Sequence, residues 1–79
     1  MNEFIKTYHL LYDHVMEAWK IEYEGADQPF SLHQTKEEAL EAGRELARNQ
    51  QPAQLVVHKM DGSIQNEYTY DEQAFLSSS

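Results

Sequence analysis

The sequence predicts an α+β fold: two layers in the order β-β-α-β-β, a four-stranded antiparallel sheet with one helix packed on one face. Three observations predict it. TKEEALEAGRELARN, residues 35–49, carries a helix cap and helical spacing of its apolar residues. AWKIEYE, residues 18–24, alternates apolar and polar side chains. QLVVHK and IQNEYTY flank an Asp-Gly pair, as the two arms of a hairpin do.

The helix is the clearest element. Thr35 can cap it, and Glu38 three positions on completes a T-x-x-E capping box. Glu37 and Glu38 lie in the first turn, where the helix dipole favours negative charge. Ala39, Leu40, Gly43, Leu46 and Ala47 recur at spacings of three and four, which gathers them on one face. Glu37, Glu41, Glu45 and Arg48 fall toward solvent. Asn49 to Pro52 ends the helix, because Pro52 disfavours helical geometry at the residue before it. Gly43 costs about 1 kcal/mol of helix propensity, so a packing reason is expected for it.

The strands follow in order. KTYHLLY, Lys6 to Tyr12, is the first, and Asp13 to Glu17 is its connecting loop. In Ala18 to Glu24, Trp19, Ile21 and Tyr23 alternate with Lys20, Glu22 and Glu24, a half-buried strand. Gly25 and Pro29 bound a turn, and Phe30 to His33 add a short extended piece. Beyond the helix, Gln54 to Lys59 and Ile64 to Tyr70 pair through Asp61-Gly62, which supplies the positive φ angles of a tight hairpin. Leu55 and Val57 are expected to share a face with Ile64, Tyr68 and Tyr70. Val56, His58, Gln65, Glu67 and Thr69 take the opposite face. Asp71 to Ser79 is expected to be a flexible tail, with Phe75 and Leu76 as its docking side chains. The order of strands within the sheet is not legible.

Size and charge bound the function. The chain has 79 residues and reads as one domain, with a core in about residues 6–70. A domain this small buries roughly 60% of its unfolded surface. It has no cysteine, so neither a disulfide nor a cysteine metal site is available. MNEFIK lacks the apolar segment of a secretory signal, and no stretch approaches the roughly 20 apolar residues of a membrane helix. A cytoplasmic protein is expected. Six Lys and Arg against 14 Asp and Glu give a net charge of −8. That argues against direct nucleic-acid binding, where Lys and Arg displace counterions, and against anionic membranes. An acidic surface keeps a small protein soluble, or meets a basic partner.

Several pieces together resemble a known family. They are W-K-I-E-Y-E-G at residues 19–25, T-K-E-E-A at residues 35–39, and L-V-V-H-x-x-D-G-x-I-Q at residues 55–65, followed by Thr69 and Tyr70. In order and spacing they resemble the small bacterial proteins grouped as domain of unknown function 2188, over about Tyr8 to Tyr70. The resemblance implies a small bacterial β-β-α-β-β domain. It brings no activity, cofactor or catalytic residue with it. The chain departs from the family in its longer first loop, DHVME at residues 13–17, and in its acidic tail.

Candidate chemistry is sparse. His9, His14, His33 and His58 are potential metal ligands, but no H-x-x-x-H helical pair exists, and four unrelated histidines are the plainer reading. The many carboxylates lie on helix and strand surfaces, whereas acid–base catalysis needs a carboxyl perturbed within a pocket. No Ser-His-Asp or Gly-rich arrangement is present, so no catalytic residue, metal or cofactor is assigned and an enzyme is not expected. Aromatic strand residues read first as cross-strand pairs and core edge. The functional reading gathers them into an interaction surface of Tyr8, Tyr12, Trp19, Glu22, Glu24, His58, Glu67 and Tyr68, since Tyr and Trp are enriched where proteins bind.

Three functions compete. The first is a non-enzymatic interaction module that binds a protein partner or itself, as a homodimer through open sheet edges or the helix-free face. The second is an acidic decoy that blocks a nucleic-acid-binding protein; it requires Glu22, Glu24, Glu37, Glu41, Glu45 and Glu67 to form one continuous face. The third is a weak metal or small-ligand binder using His33 or His58.

Overall fold

A computed structural model describes residues 5–71. The elements run β1 (Lys6–Asp13), β2 (Ala18–Tyr23), β3 (Ser31–His33), α1 (Lys36–Asn49), β4 (Ala53–His58) and β5 (Ile64–Tyr70). The expectation for the tail concerns residues that, from 72 on, lie outside those described.

The class is α+β with one helix, as expected, but the sheet is five-stranded and mixed rather than four-stranded and antiparallel. Its order is β3-β2-β1-β4-β5. The extended piece at Ser31–His33 is itself a strand, antiparallel to β2 on the outer edge. That extra strand changes the parity of the chain. β3 runs with β1, and a strand–helix–strand connection returns the chain in the same direction, so β4 lies parallel to β1. The pairs β1–β2 and β4–β5 are the antiparallel hairpins read from the sequence.

The register sorts the side chains onto two faces. Tyr8 stands between Tyr23 and Leu55, and Leu55 stands beside Tyr68. Leu10 stands between Ile21 and Val57. These residues face α1, and Leu10, Ile21, Leu55 and Val57 are almost wholly buried. The helix presents Ala39, Gly43 and Ala47 to them, with Leu40 and Leu46 half-buried at the margins. Gly43 has the packing reason its cost called for. A Cβ there would lie 3.1 Å from both Leu55 methyls and 3.2 Å from Ile21 Cδ1. Small residues let the helix settle close on the sheet. Thr35 caps α1 as the sequence predicts, its Oγ1 accepting from the Glu38 amide at 3.1 Å.

β5 departs from the expected alternation. Its register shifts opposite Val57 and His58, so that Asn66 faces Val57 while Ile64 faces His58. The extra residue, Gln65, takes the Lys36 ammonium as a donor, reaching the helix side. Ile64, expected beside Tyr68 and Tyr70, is exposed instead. The β4–β5 turn is also wider than a two-residue hairpin. Only Gly62 of the Asp-Gly pair has positive φ, at +96°, and the Lys59 amide donates to the Ser63 carbonyl at 2.8 Å.

Candidate functional site

The face of the sheet away from α1 carries no second layer among the described residues. Alternation places Thr7, His9 and Leu11 of β1 there, with Lys20 and Glu22 of β2, Leu32 of β3, Gln54, Val56 and His58 of β4, and Glu67 and Thr69 of β5. One row crosses it as Glu22, His9, Val56 and Glu67. Val56 is 6% exposed although no helix covers it. It sits on the interior strand β4, walled by the larger side chains of its neighbours.

Polar contacts tie this face together. His9 Nδ1 lies 3.0 Å from His58 Nε2, and His9 Nε2 lies 2.7 Å from Glu24 Oε1. His58 Nδ1 lies 2.9 Å from the Gly62 carbonyl. The Lys20 ammonium bridges Asp13 at 3.3 Å and Glu22 at 3.2 Å. The hydrogen bond to Glu22, then the one to Asp13, holds the ammonium above the ordinary lysine range against some desolvation. Gln54 donates to Glu67 at 3.0 Å.

At one end of the face the two hairpin tips lie side by side. His14 Nε2, in the β1–β2 loop, donates to the Met60 carbonyl in the β4–β5 turn at 3.1 Å. Each tip is braced by an aspartate. Asp13 Oδ1 accepts from the Val15 and Met16 amides, both at 2.9 Å. Asp61 Oδ1 accepts from the Ser63 amide at 2.9 Å and its hydroxyl at 2.7 Å. These bonds to the charged form, the Met16 amide first for Asp13 and the Ser63 amide first for Asp61, hold both carboxyls below the ordinary aspartate value of 3.8. Glu17 closes the first loop at φ 53°, a left-handed conformation in a residue that has a Cβ. The braced tips expose apolar side chains: Val15 is 91% exposed, Met16 58% and Met60 52%.

The eight residues read as an interaction surface do not come together. Tyr8 and Trp19 are buried beneath the helix, Tyr12 packs edge-on against Trp19 at 5.1 Å, and Tyr68 lies under the Arg44 guanidinium at 5.2 Å. These aromatics are core and core edge. Lys36 further covers Trp19, its Nζ 5.3 Å from the ring. Only Glu22, Glu24, His58 and Glu67 reach the open face. Trp19 and Tyr8 alternate with polar residues as exposed aromatics would. The helix covers the face that carries Leu10, Ile21, Leu55 and Val57, and Tyr8 and Trp19 share that face.

Two further expectations are corrected by placement. His33 pairs opposite Trp19 on the helix side and meets the Ser31 hydroxyl at 2.9 Å, whereas His58 meets His9 on the other side, so the two form no common site. Among the described residues no group of three or more His, Asp or Glu is arranged to hold a metal ion. The six glutamates named for a continuous acidic face divide between opposite sides: Glu37, Glu41 and Glu45 lie on the outer side of α1, interleaved with Arg44 and Arg48. The face required for a decoy is not formed.

Sequence reasoning left Lys20, Val15, Met16 and Met60 out of the candidate surface, and named His9 only as a potential metal ligand. His9 joins His58 only through the β1–β4 register, which no local pattern encodes. Val15, Met16 and Met60 were legible in part, since apolar residues at loop tips are out of place in a solvated turn.

Among the described residues no helix is long and apolar enough to cross a membrane. No curated protein and no solved structure matches the chain. A family model described as an uncharacterized protein conserved in bacteria matches residues 8–70. That span runs from the buried Tyr8 of β1 to the last residue of β5 and takes in every element that builds the sheet. The chain belongs to this bacterial family, domain of unknown function 2188.

Proposed function

We propose that the chain is a non-catalytic protein-interaction module, acting in the cytoplasm, whose contact surface is the pair of hairpin tips together with the adjoining open face of the sheet. The observation that carries this reading is the exposure of Val15, Met16 and Met60 on two tips that touch each other. Single exposed apolar residues are ordinary, but several at one site mark contact surfaces. Methionine is suited to such a surface because its unbranched thioether adapts to the partner's shape. Asp13 and Asp61 hold the tips in shape through backbone bonds, so little conformational freedom is lost on binding.

Charge supports a basic partner over a second copy. Each copy carries a net charge of −8, so two like faces repel, whereas a partner with Lys or Arg around an apolar centre gains at both. The test is capture from the native host with three baits: the wild type, Val15→Ser/Met16→Ser, and Glu41→Lys/Glu45→Lys on the outer side of the helix. The expected result is a basic protein retained by the wild type and the helix variant and lost by the tip variant. Loss with the helix variant alone, or a concentration-dependent homodimer by light scattering with nothing else retained, rejects the reading.

A further inference from the structure

We infer that His9, His58 and Glu24 form a proton-binding clasp: at neutral pH the two imidazoles together hold one proton more than two neutral histidines carry. The inference follows from counting hydrogens. A backbone carbonyl only accepts, so the contact between His58 Nδ1 and the Gly62 oxygen at 2.9 Å requires a hydrogen on Nδ1. An ionised carboxylate also only accepts, so the 2.7 Å contact between His9 Nε2 and Glu24 requires a hydrogen on Nε2. Between them His9 Nδ1 and His58 Nε2 stand 3.0 Å apart, and one of the two must donate. Three contacts thus need three hydrogens on four ring nitrogens. Two neutral imidazoles supply one each. Without the third hydrogen, two lone pairs face each other at hydrogen-bonding distance.

Geometry favours a proton over a metal ion as the occupant. The ring centroids lie 5.2 Å apart. With the nitrogens at 3.0 Å, that separation arises only when the rings point at each other nearly end to end. Such an approach suits an N–H···N bond. A tetrahedral ion about 2.0–2.1 Å from each nitrogen needs the lone pairs to converge at an angle and the nitrogens to move apart.

The surroundings favour the added positive charge. From β2, Glu22 stands directly opposite His9, and from β5, Glu67 stands opposite Val56 on the same face, accepting from Gln54. Asp13 of β1, Glu17 of the β1–β2 loop and Asp61 of the β4–β5 turn are further acids at this end, and Asp27 lies on the link that follows β2. Against these carboxylates and Glu24 stand Lys20, already engaged by Asp13 and Glu22, and Lys59 at the end of β4. His14 lies in the neighbouring tip with its own partner, the Met60 carbonyl. The clasp joins three separate pieces of chain across the open face: β1, the β4–β5 turn and the link that follows β2. It stands on hydrogen-bond geometry alone, whatever that face binds.

The substitution Glu24→Gln tests the count. A glutamine side chain can donate as well as accept. Its amide N–H would satisfy a neutral His9 Nε2, leaving His9 Nδ1–H for His58 and His58 Nδ1–H for Gly62, with no extra proton. Glu24 is exposed, so the variant folds. Ring-nitrogen shifts, read by NMR through the carbon-bound ring protons of 15N-labelled protein at pH ~7.5, report the protonation of each nitrogen, under conditions where an ordinary histidine is about nine-tenths neutral. The expected result is three protonated nitrogens shared by His9 and His58 in the wild type and two in Glu24→Gln. Two in the wild type overturns the inference, as does a count unchanged by Glu24→Gln. Addition of one equivalent of Zn²⁺ is the second arm. Zinc-type shifts on both rings would make the pair a metal site and overturn it, whereas an unchanged pair supports the proton.

Discussion

The two faces of this sheet use the same strands and are built from opposite materials. Toward α1, the register lines up Leu10, Ile21, Leu55 and Val57, which leave almost no surface to water. One residue away stand His9, Glu22, Val56 and Glu67, where His9 bonds to His58 and Glu24, Glu22 pairs with Lys20 and Glu67 accepts from Gln54. A strand alternates its side chains strictly, so each strand serves both faces. The apolar face gives the domain its stability because burial scales with the apolar area removed from water. The polar face contributes less to stability, since exposed ion pairs are worth about 0–1 kcal/mol each. Its side chains are therefore the more free to serve recognition.

The comparison breaks most readily at Leu55. Its side chain is fully buried beneath Gly43, and Leu55→Ala is expected to cost about 2–5 kcal/mol, by the lost transfer energy and the cavity left behind. Urea unfolding measures it. Val56 is the matched control on the open face, in the same strand and at nearly the same burial. Val56→Ala is expected to cost less than half as much, since fewer atoms are removed and the polar walls can close on the space. Equal losses at the two positions would mean that the open face is as much a core as the covered one. Gly43→Ala sharpens the same contrast. It gains about 1 kcal/mol of helix propensity but drives a methyl to 3.1–3.2 Å from Leu55 and Ile21. Overpacking of that kind costs about 1–3 kcal/mol, and a net loss of about 1 kcal/mol is expected. Thr35→Ala removes the bond to the Glu38 amide and is expected to cost about 1 kcal/mol, read by the same unfolding curve.

What the sequence revealed follows the same division. The helix, its cap and its small-residue face were legible because each depends on residues within a few positions: Thr35 with Glu38, and Ala39 with Gly43 and Ala47. The hairpins were legible for the same reason. The parallel pairing of β1 with β4 was not, because it is set by a three-residue strand, Ser31–His33, whose sequence scarcely differs from a loop. That one strand decides which way β4 runs and therefore that His58 meets His9. The aromatics follow their first reading, cross-strand pairs and core edge: Tyr8 and Trp19 lie beneath the helix, and only the alternative reading that placed them on an exposed interaction surface fails. The bulge at β5 is similarly silent, and it turns Ile64 out.

The smallest expected effect separates the tips from the core by pH. Asp13 and Asp61 have lower folded values than the ordinary 3.8 because the backbone amides they accept from favour the ionised form. The sign follows directly. A carboxyl whose folded value is depressed binds its proton more tightly in the unfolded chain, so its contribution is present in full above 3.8 and is lost as the pH falls through the depressed value. The core holds no carboxyl, and its ionisable Tyr8 is pushed up by burial and so stays neutral throughout acid. Acid is therefore expected to loosen the tips first. Amide exchange at Val15, Met16 and Ser63 should quicken below pH 3.8 while exchange at Leu55 and Val57 holds. In Asp13→Ala the Val15 and Met16 amides should exchange fast at every pH, while Ser63 keeps its dependence on Asp61. If the strands and tips instead lose protection together at one pH, the tips are no more separable than the faces they join, and the surface offered for binding is held by the core rather than by its two aspartates.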